Sequence, residues 1–158
     1  MAEPLSDRII HKIEQAAELY YRLIILVAPT GAGKTTALQD IHKRTDSLFL
    51  NLNLELSQRM LELTERQRVL QLPLLLSDIV SVSISEVILL DNIELLFDKS
   101  LKQDPLRLLQ GISRNKTVVA AWSGSIEGDY IIYAKPDHPE YKRYPLHDFL
   151  VVSPDYGI

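Results

Sequence analysis

A chain of 158 residues, 46% hydrophobic and 24% charged, has the make-up of one ordinary globular domain, and its formal net charge of -4 supplies no general attraction to nucleic-acid phosphates. It contains no cysteine, which excludes a disulfide framework and any thiolate metal site. Apolar runs such as Leu72–Leu76 and Val87–Leu90 fall far short of the ~20 residues of a membrane helix, and Met1–Asp7 lacks the basic start and apolar core of an export signal. A soluble, cytoplasmic protein with no membrane partner is expected.

In chain order, Ser6 reads as an N-cap. Ile9, Ile10, Ile13, Ala16, Ala17 and Tyr20 then repeat at helical spacing, predicting an amphipathic helix over about 6–21. Leu23–Val27 reads as a first strand. Lys34–Arg44 reads as a helix, and the alternation of "LFLNLNL" (Leu48–Leu54) predicts a second strand. Helix is expected again from about Glu55, broken or restarted at Pro73. "EVILLDN" is a third strand, continuous in its apolar residues as a strand buried on both faces should be. Asp104 and Pro105 suit the cap and first turn of a helix running to about Ser113, and "TVVAAW" is a fourth strand. A hairpin in "YIIYAKPDHPEYKRYPL" and a last strand at Phe149–Val152 fill 128–154.

Strands alternating with helices predict an α/β fold with a mostly parallel sheet and helices on both faces, spanning 1–158 as one domain. In such sheets ligands bind at the carboxyl ends of the strands.

The stretch Ala28–Thr35 has the spacing A-x-x-x-x-G-K-T, a phosphate-binding loop with alanine where glycine is usual. Gly31 and Gly33 permit backbone angles and close approach that a side chain would forbid, so that amides point at phosphate oxygens. Lys34 is a mobile point charge for terminal phosphates, and the helix starting there adds its positive end. The expected nucleotide contacts are Pro29, Thr30, Gly31, Ala32, Gly33, Lys34, Thr35 and Thr36, with ATP and Mg²⁺ as ligands. The Thr35 hydroxyl is expected on the metal.

"VILLDN" ends in Asp91, placed to hold the same Mg²⁺ through water beside Thr35. Where many ATPases carry a glutamate to orient the attacking water, this chain has Asn92. Glu94, three residues beyond Asp91, reaches the site if the segment turns helical, and Asn92 orients water less strongly than a carboxylate. The expected hydrolysis is therefore slow.

Together, "VAPTGAGKTT", "NLNLELSQRMLELTERQR", "VILLDNIELLFD", "LKQDPLRLLQGISRNKTVVAAWSG" and "HPEYKRYPLHDFLVVS" resemble the BrxF family, the small P-loop proteins of type 3 BREX bacteriophage-defence systems. The resemblance covers nearly the whole chain and, with the glycine loop, implies a P-loop NTPase three-layer sandwich with a mostly parallel sheet and no separate lid domain. It implies a bacterial cytoplasmic protein acting beside other BREX components, among them a large ATPase, an alkaline-phosphatase-like protein and an adenine-specific DNA methyltransferase. Similarity to AAA+ ATPases implies that Ser123 is a γ-phosphate sensor, whereas Trp122 is assigned to packing.

Arg66 and Arg68 read as a solvated helix face. Tyr130, Tyr133, Tyr141 and Tyr144 interleave with Lys135, Lys142 and Arg143 as in single-strand binders, but Asp137 and Glu140 dilute the charge, so DNA contact is only a secondary expectation. The stretch beyond Ser123 suffices for the last strand and a hairpin, not for a helical lid. A nucleotide-dependent homo-oligomer is expected, in which Arg114, or second Arg107, reaches the phosphates of the next subunit.

The leading expectation is a nucleotide switch or ATPase in a BREX complex, with Lys34, Asp91, Glu94, Asn92, Ser123 and Arg114 as its catalytic set. The alternatives are a small-molecule kinase, and a module that holds ATP without hydrolysing it.

Overall fold

The computed structural model describes residues 4–154; the ends of the expected domain, residues 1–3 and 155–158, lie outside the described residues. Its centre is β1 (Leu23–Ala28), buried at every position as its unbroken apolar run dictates. β1 pairs in parallel with β4 (Thr117–Glu127) on one side and with β7 (Leu150–Val152) on the other. β3 (Val87–Asp91) pairs with β4, and β2 (Ser47–Asn51) with β3, so the strand order is β2-β3-β4-β1-β7.

Because side chains alternate across a strand, each face of the sheet gathers its own core. Ile24, Leu26, Leu89, Val119 and Val152 meet α1 (Leu5–Ala16) and α2 (Lys34–Arg44). Leu23, Ile25, Val27, Ile88, Leu90 and Val118 face α3 (Leu52–Met60), α4 (Glu65–Ser81) and α5 (Pro105–Ile112). The result is an α/β three-layer sandwich with a mostly parallel sheet, and no separate lid among the described residues.

Several elements depart from what the sequence pattern predicts. Helix α1 starts one residue before Ser6, with Pro4 at its cap, and ends at Ala16 rather than Tyr21. The apolar spacing continues to Tyr20, but the chain must turn to enter the sheet, where the Arg22 N–H donates to the Ser113 carbonyl at 2.9 Å. The alternation of Leu48–Leu54 is cut at Asn51, whose side chain accepts from the Leu54 N–H at 3.1 Å and caps α3. Leu52, Leu56 and Met60, spaced by four, are then buried together on one helix face.

The helical break lies before Thr64, not at Pro73. Thr64 and Gln67 form a reciprocal capping box, with bonds of 3.2 and 2.9 Å. Pro73 sits inside α4, where it denies the Val69 carbonyl its usual donor four residues on. The Gln103 Nε2 donates to that carbonyl instead, at 2.9 Å.

β4 runs beyond "TVVAAW" because its second half changes partner. Gly124–Glu127 pairs antiparallel with β5 (Tyr130–Tyr133), which in turn pairs with β6 (Lys142–Pro145). A Cβ on Gly124 would meet the Ile132 carbonyl oxygen at 1.9 Å, so only glycine admits this approach. Trp122 is fully buried beneath it and donates from Nε1 to the same carbonyl at 3.0 Å, a packing role.

Candidate functional site

β1, β3 and the parallel part of β4 end at one edge of the sheet. Strand register sets Ala28 beside Ser123 and Asn51 beside Asp91. After Ala28 the chain leaves the sheet through Pro29–Gly33, with Gly31 at φ +84° and Gly33 at φ +92°, and enters α2 at Lys34. An ideal Cβ at Gly31 or Gly33 would meet nothing within 4 Å, so both glycines border open space. The helix N-terminus, with unpaired N–H groups and the positive end of its dipole, faces that space.

This space is a cleft of about 370 Å³ lined by Thr30, Gly31, Gly33, Lys34, Thr35, Thr36, Asp91, Asn92, Glu94 and Ser123. The fold thus brings together the glycine loop and the acidic strand end, which stand 56 positions apart in sequence at Thr35 and Asp91. Pro29 and Ala32 belong to the same loop without lining the cleft.

Lys34 and Asp91 are both nearly buried, at 8% and 4% exposure. The Lys34 Nζ folds back and donates to the carbonyls of Ala28 and Pro29, each at 2.9 Å. Burial lowers its pKa, while the carboxylates of Glu94 and Asp91 oppose that shift. Thr35 Oγ1 donates to Asp91 Oδ2 at 2.6 Å, and the Asn92 N–H donates to Asp91 Oδ1 at 3.0 Å. Asn92 has φ +53°.

Glu94 opens a 3₁₀ turn, Glu94–Phe97, which directs its carboxylate into the cleft. Burial pushes its pKa up, and the nearby Asp91 charge adds to the rise; Lys34 and a hydrogen bond from Asn53 pull the other way. Asn53, which the sequence pattern did not mark, connects these parts. Its N–H donates to the Asn92 carbonyl, its Oδ1 accepts from the Leu95 N–H at 2.8 Å, and its Nδ2 lies 3.5 Å from Glu94 Oε1. The only local hint was a polar residue inside a leucine-rich alternation.

Arg114 is not brought to the cleft of its own chain. It precedes β4 at the amino-terminal edge of the sheet, where its guanidinium lies 4.7 Å from the Tyr20 ring centre and its carbonyl accepts from Arg22. Arg107 is exposed in the first turn of α5, on the side where Asp104 accepts from Tyr144, whose ring lies 6.1 Å from Trp122. Arg68 is tied to the Leu63 carbonyl, and Arg66 is exposed. In the aromatic tail, Tyr133 stacks on Phe97 at 3.6 Å, its pKa pushed up to about 12 by burial, and Arg143 covers Tyr130 at 3.5 Å.

Hard oxygen donors at Thr35 and Asp91, 2.6 Å apart at the edge of the cleft, are the donor chemistry that Mg²⁺ takes, and the open glycine cradle suits phosphate. Fold and loop together define a P-loop NTPase-like architecture. No family model matches the chain, and no curated protein matches it. A solved structure described as a DNA replication initiation factor is similar at 17% identity and a TM-score of 0.45, over 77% of this chain and 39% of that one. The chain therefore spans well under half the length of that protein, and no activity is carried across. Among the described residues no helix is long and apolar enough to cross a membrane.

Proposed function

We propose that the chain binds ATP with Mg²⁺ in this cleft and hydrolyses it slowly, serving as a nucleotide-dependent switch or ATPase. The observation that carries the reading is the meeting, at one sheet edge, of an open glycine cradle, a buried lysine and the Thr35–Asp91 pair. Amides of the loop and of the α2 N-terminus bind phosphate oxygens. Lys34 exchanges the Ala28 and Pro29 carbonyls for the terminal phosphates. Thr35 and Asp91 hold Mg²⁺, whose charge offsets that of the phosphates. The Glu94 carboxylate takes the proton of the attacking water, and the Ser123 hydroxyl donates to phosphate or water.

ATP with Mg²⁺ at ~100 times its dissociation constant should add about 2.7 kcal/mol to folding stability, a visible rise in melting temperature. Lys34→Ala should abolish that rise. No shift in the parent protein at millimolar nucleotide would end the binding claim. Phosphate release without an acceptor supports hydrolysis, whereas ADP formed only with an acceptor would mean a small-molecule kinase. A second reading, tight binding without turnover, draws on one fact: the residue after Asp91 is an asparagine.

The resemblance to the BrxF family supports a place beside other BREX components in anti-phage defence. A defence system whose protection survives Lys34→Ala would remove nucleotide from that role. The cleft is open to solvent at the sheet edge, which supports cover by a second subunit, with Arg114 acting in trans.

A further inference from the structure

The chain turns sharply after Asp91. Asn92 holds φ at +53°, a left-handed conformation that asparagine tolerates far better than alanine or glutamate. This angle turns the chain out of β3 and aims the Asn92 carbonyl at the Asn53 N–H, 2.9 Å away, while the Asn92 N–H, set by the preceding peptide, donates to Asp91 Oδ1 at 3.0 Å. The 3₁₀ turn that comes next receives no side-chain cap from Ile93. Asn53 supplies one from the start of α3, its Oδ1 accepting the Leu95 N–H at 2.8 Å while its Nδ2 approaches Glu94 Oε1 at 3.5 Å. Two asparagines 39 positions apart thus grip both carboxylates of the cleft, one through a peptide and one through a side chain.

We propose that Asn92 and Asn53 are positioning residues for Glu94: Asn92 acts through its backbone conformation, and Asn53 through its carboxamide. The proposal rests on the nucleotide reading of the cleft. It replaces a water-orienting role for the Asn92 side chain with a conformational one. A residue at 92 that favours right-handed backbone would withdraw the carbonyl from Asn53 and redirect the turn that carries Glu94.

The test uses the full chain with Asn92→Ala, Asn92→Gly, Asn53→Ala and Asn53→Asp. Three quantities are measured: urea unfolding without nucleotide, affinity for a fluorescent ATP analogue with and without Mg²⁺, and kcat and KM for ATP. Loss of an orienting partner typically lowers activity about 10- to 100-fold, and Asn92→Ala should lose kcat on that scale. Glycine adopts positive φ without strain, so Asn92→Gly should recover most of that loss although it has no carboxamide at all. Asn53→Ala should lower kcat by about tenfold or more with KM little changed. Asn53→Asp keeps the acceptor for Leu95 but sets a like charge against Glu94, so it should share the loss in kcat. Equal losses in the glycine and alanine variants at 92 would show that the carboxamide itself acts, overturning the proposal, and parental kcat in Asn53→Ala would do the same. A parent protein with no affinity for the ATP analogue would instead overturn the nucleotide reading beneath it.

Discussion

Glu94 sits in conflict with its surroundings. Its carboxylate is half-buried and near Asp91, and both facts favour the protonated form. A pKa raised in the folded state means that the native protein holds this proton more tightly than the unfolded chain does. The stabilising effect is complete below the ordinary glutamate range and is lost as pH rises through the raised folded value. At neutral pH the ionised carboxylate is therefore a liability to folding, and Glu94→Gln should melt no lower than the parent. In the proposed reaction the same change removes the proton acceptor. Because positioned acid–base groups contribute roughly 10² to 10⁴ in rate, turnover should fall about a hundredfold while the ATP-induced melting shift survives. Parental turnover with glutamine at 94 would place the base elsewhere. In the parent, turnover should rise with pH through a midpoint above the ordinary carboxylate range, and a stopped assay across pH reads that midpoint.

Helix α4 is the element whose sequence reads worst and whose structure explains why. Proline in a helix interior removes one backbone bond, yet α4 runs through Pro73 because Gln103 donates to the orphaned Val69 carbonyl. Gln103 is held as well by the Leu101 carbonyl at 2.8 Å. A hydrogen bond of this kind is worth about 0.5–1.5 kcal/mol net, so Gln103→Ala should lower stability by about that amount. In a Pro73→Ala background the backbone bond is restored and the loss should shrink. A double-mutant cycle by urea unfolding measures this coupling, and strict additivity would mean that Gln103 does not compensate for the proline. The β4–β5 pair makes a second prediction. Gly124→Ala would drive a Cβ onto the Ile132 carbonyl, and the enforced backbone shift should destabilise by about 1–3 kcal/mol. Since Trp122 bonds the same carbonyl, its fluorescence should report the change.

For the molecule as a whole, the two ends of the parallel sheet have different chemistry. The carboxyl edge carries the cleft, and the amino edge carries exposed Arg114 beside Tyr20. A head-to-tail contact, amino edge of one subunit to carboxyl edge of the next, would bring Arg114 to a neighbour's phosphates, and such contacts close into rings or extend into filaments. An arginine acting in trans is worth about 10³ to 10⁵ in rate in P-loop enzymes. Light scattering with and without a non-hydrolysable ATP analogue should show nucleotide-dependent assembly. Mixing Lys34→Ala subunits with Arg114→Ala subunits should restore part of the lost turnover. A strict monomer in both conditions would end this arrangement.

The sequence by itself determined what depends on neighbouring residues. An apolar run, two glycines and a lysine at a helix start form an open loop at a helix N-terminus through backbone freedom and helix polarity, both local properties, so the geometry of Gly31 to Thr35 was legible without a fold. Asp91 was legible as the polar end of a doubly buried strand. Glu94 was legible conditionally, since its reach hung on a turn that the structure supplies as a 3₁₀ segment. Only the tertiary structure decided where competing periods gave way. Leu48–Leu54 alternates like a strand while Leu52, Leu56 and Met60 repeat like a helix, and burial of the second set against the sheet settles the boundary at Asn51. Helix α1 stops at Ala16 because its successor must enter the sheet, and Pro73 is tolerated because of a side chain 30 positions away. Asn53 became visible only once β2 lay beside β3, since hydrogen bonds between distant residues leave no period in the chain that makes them.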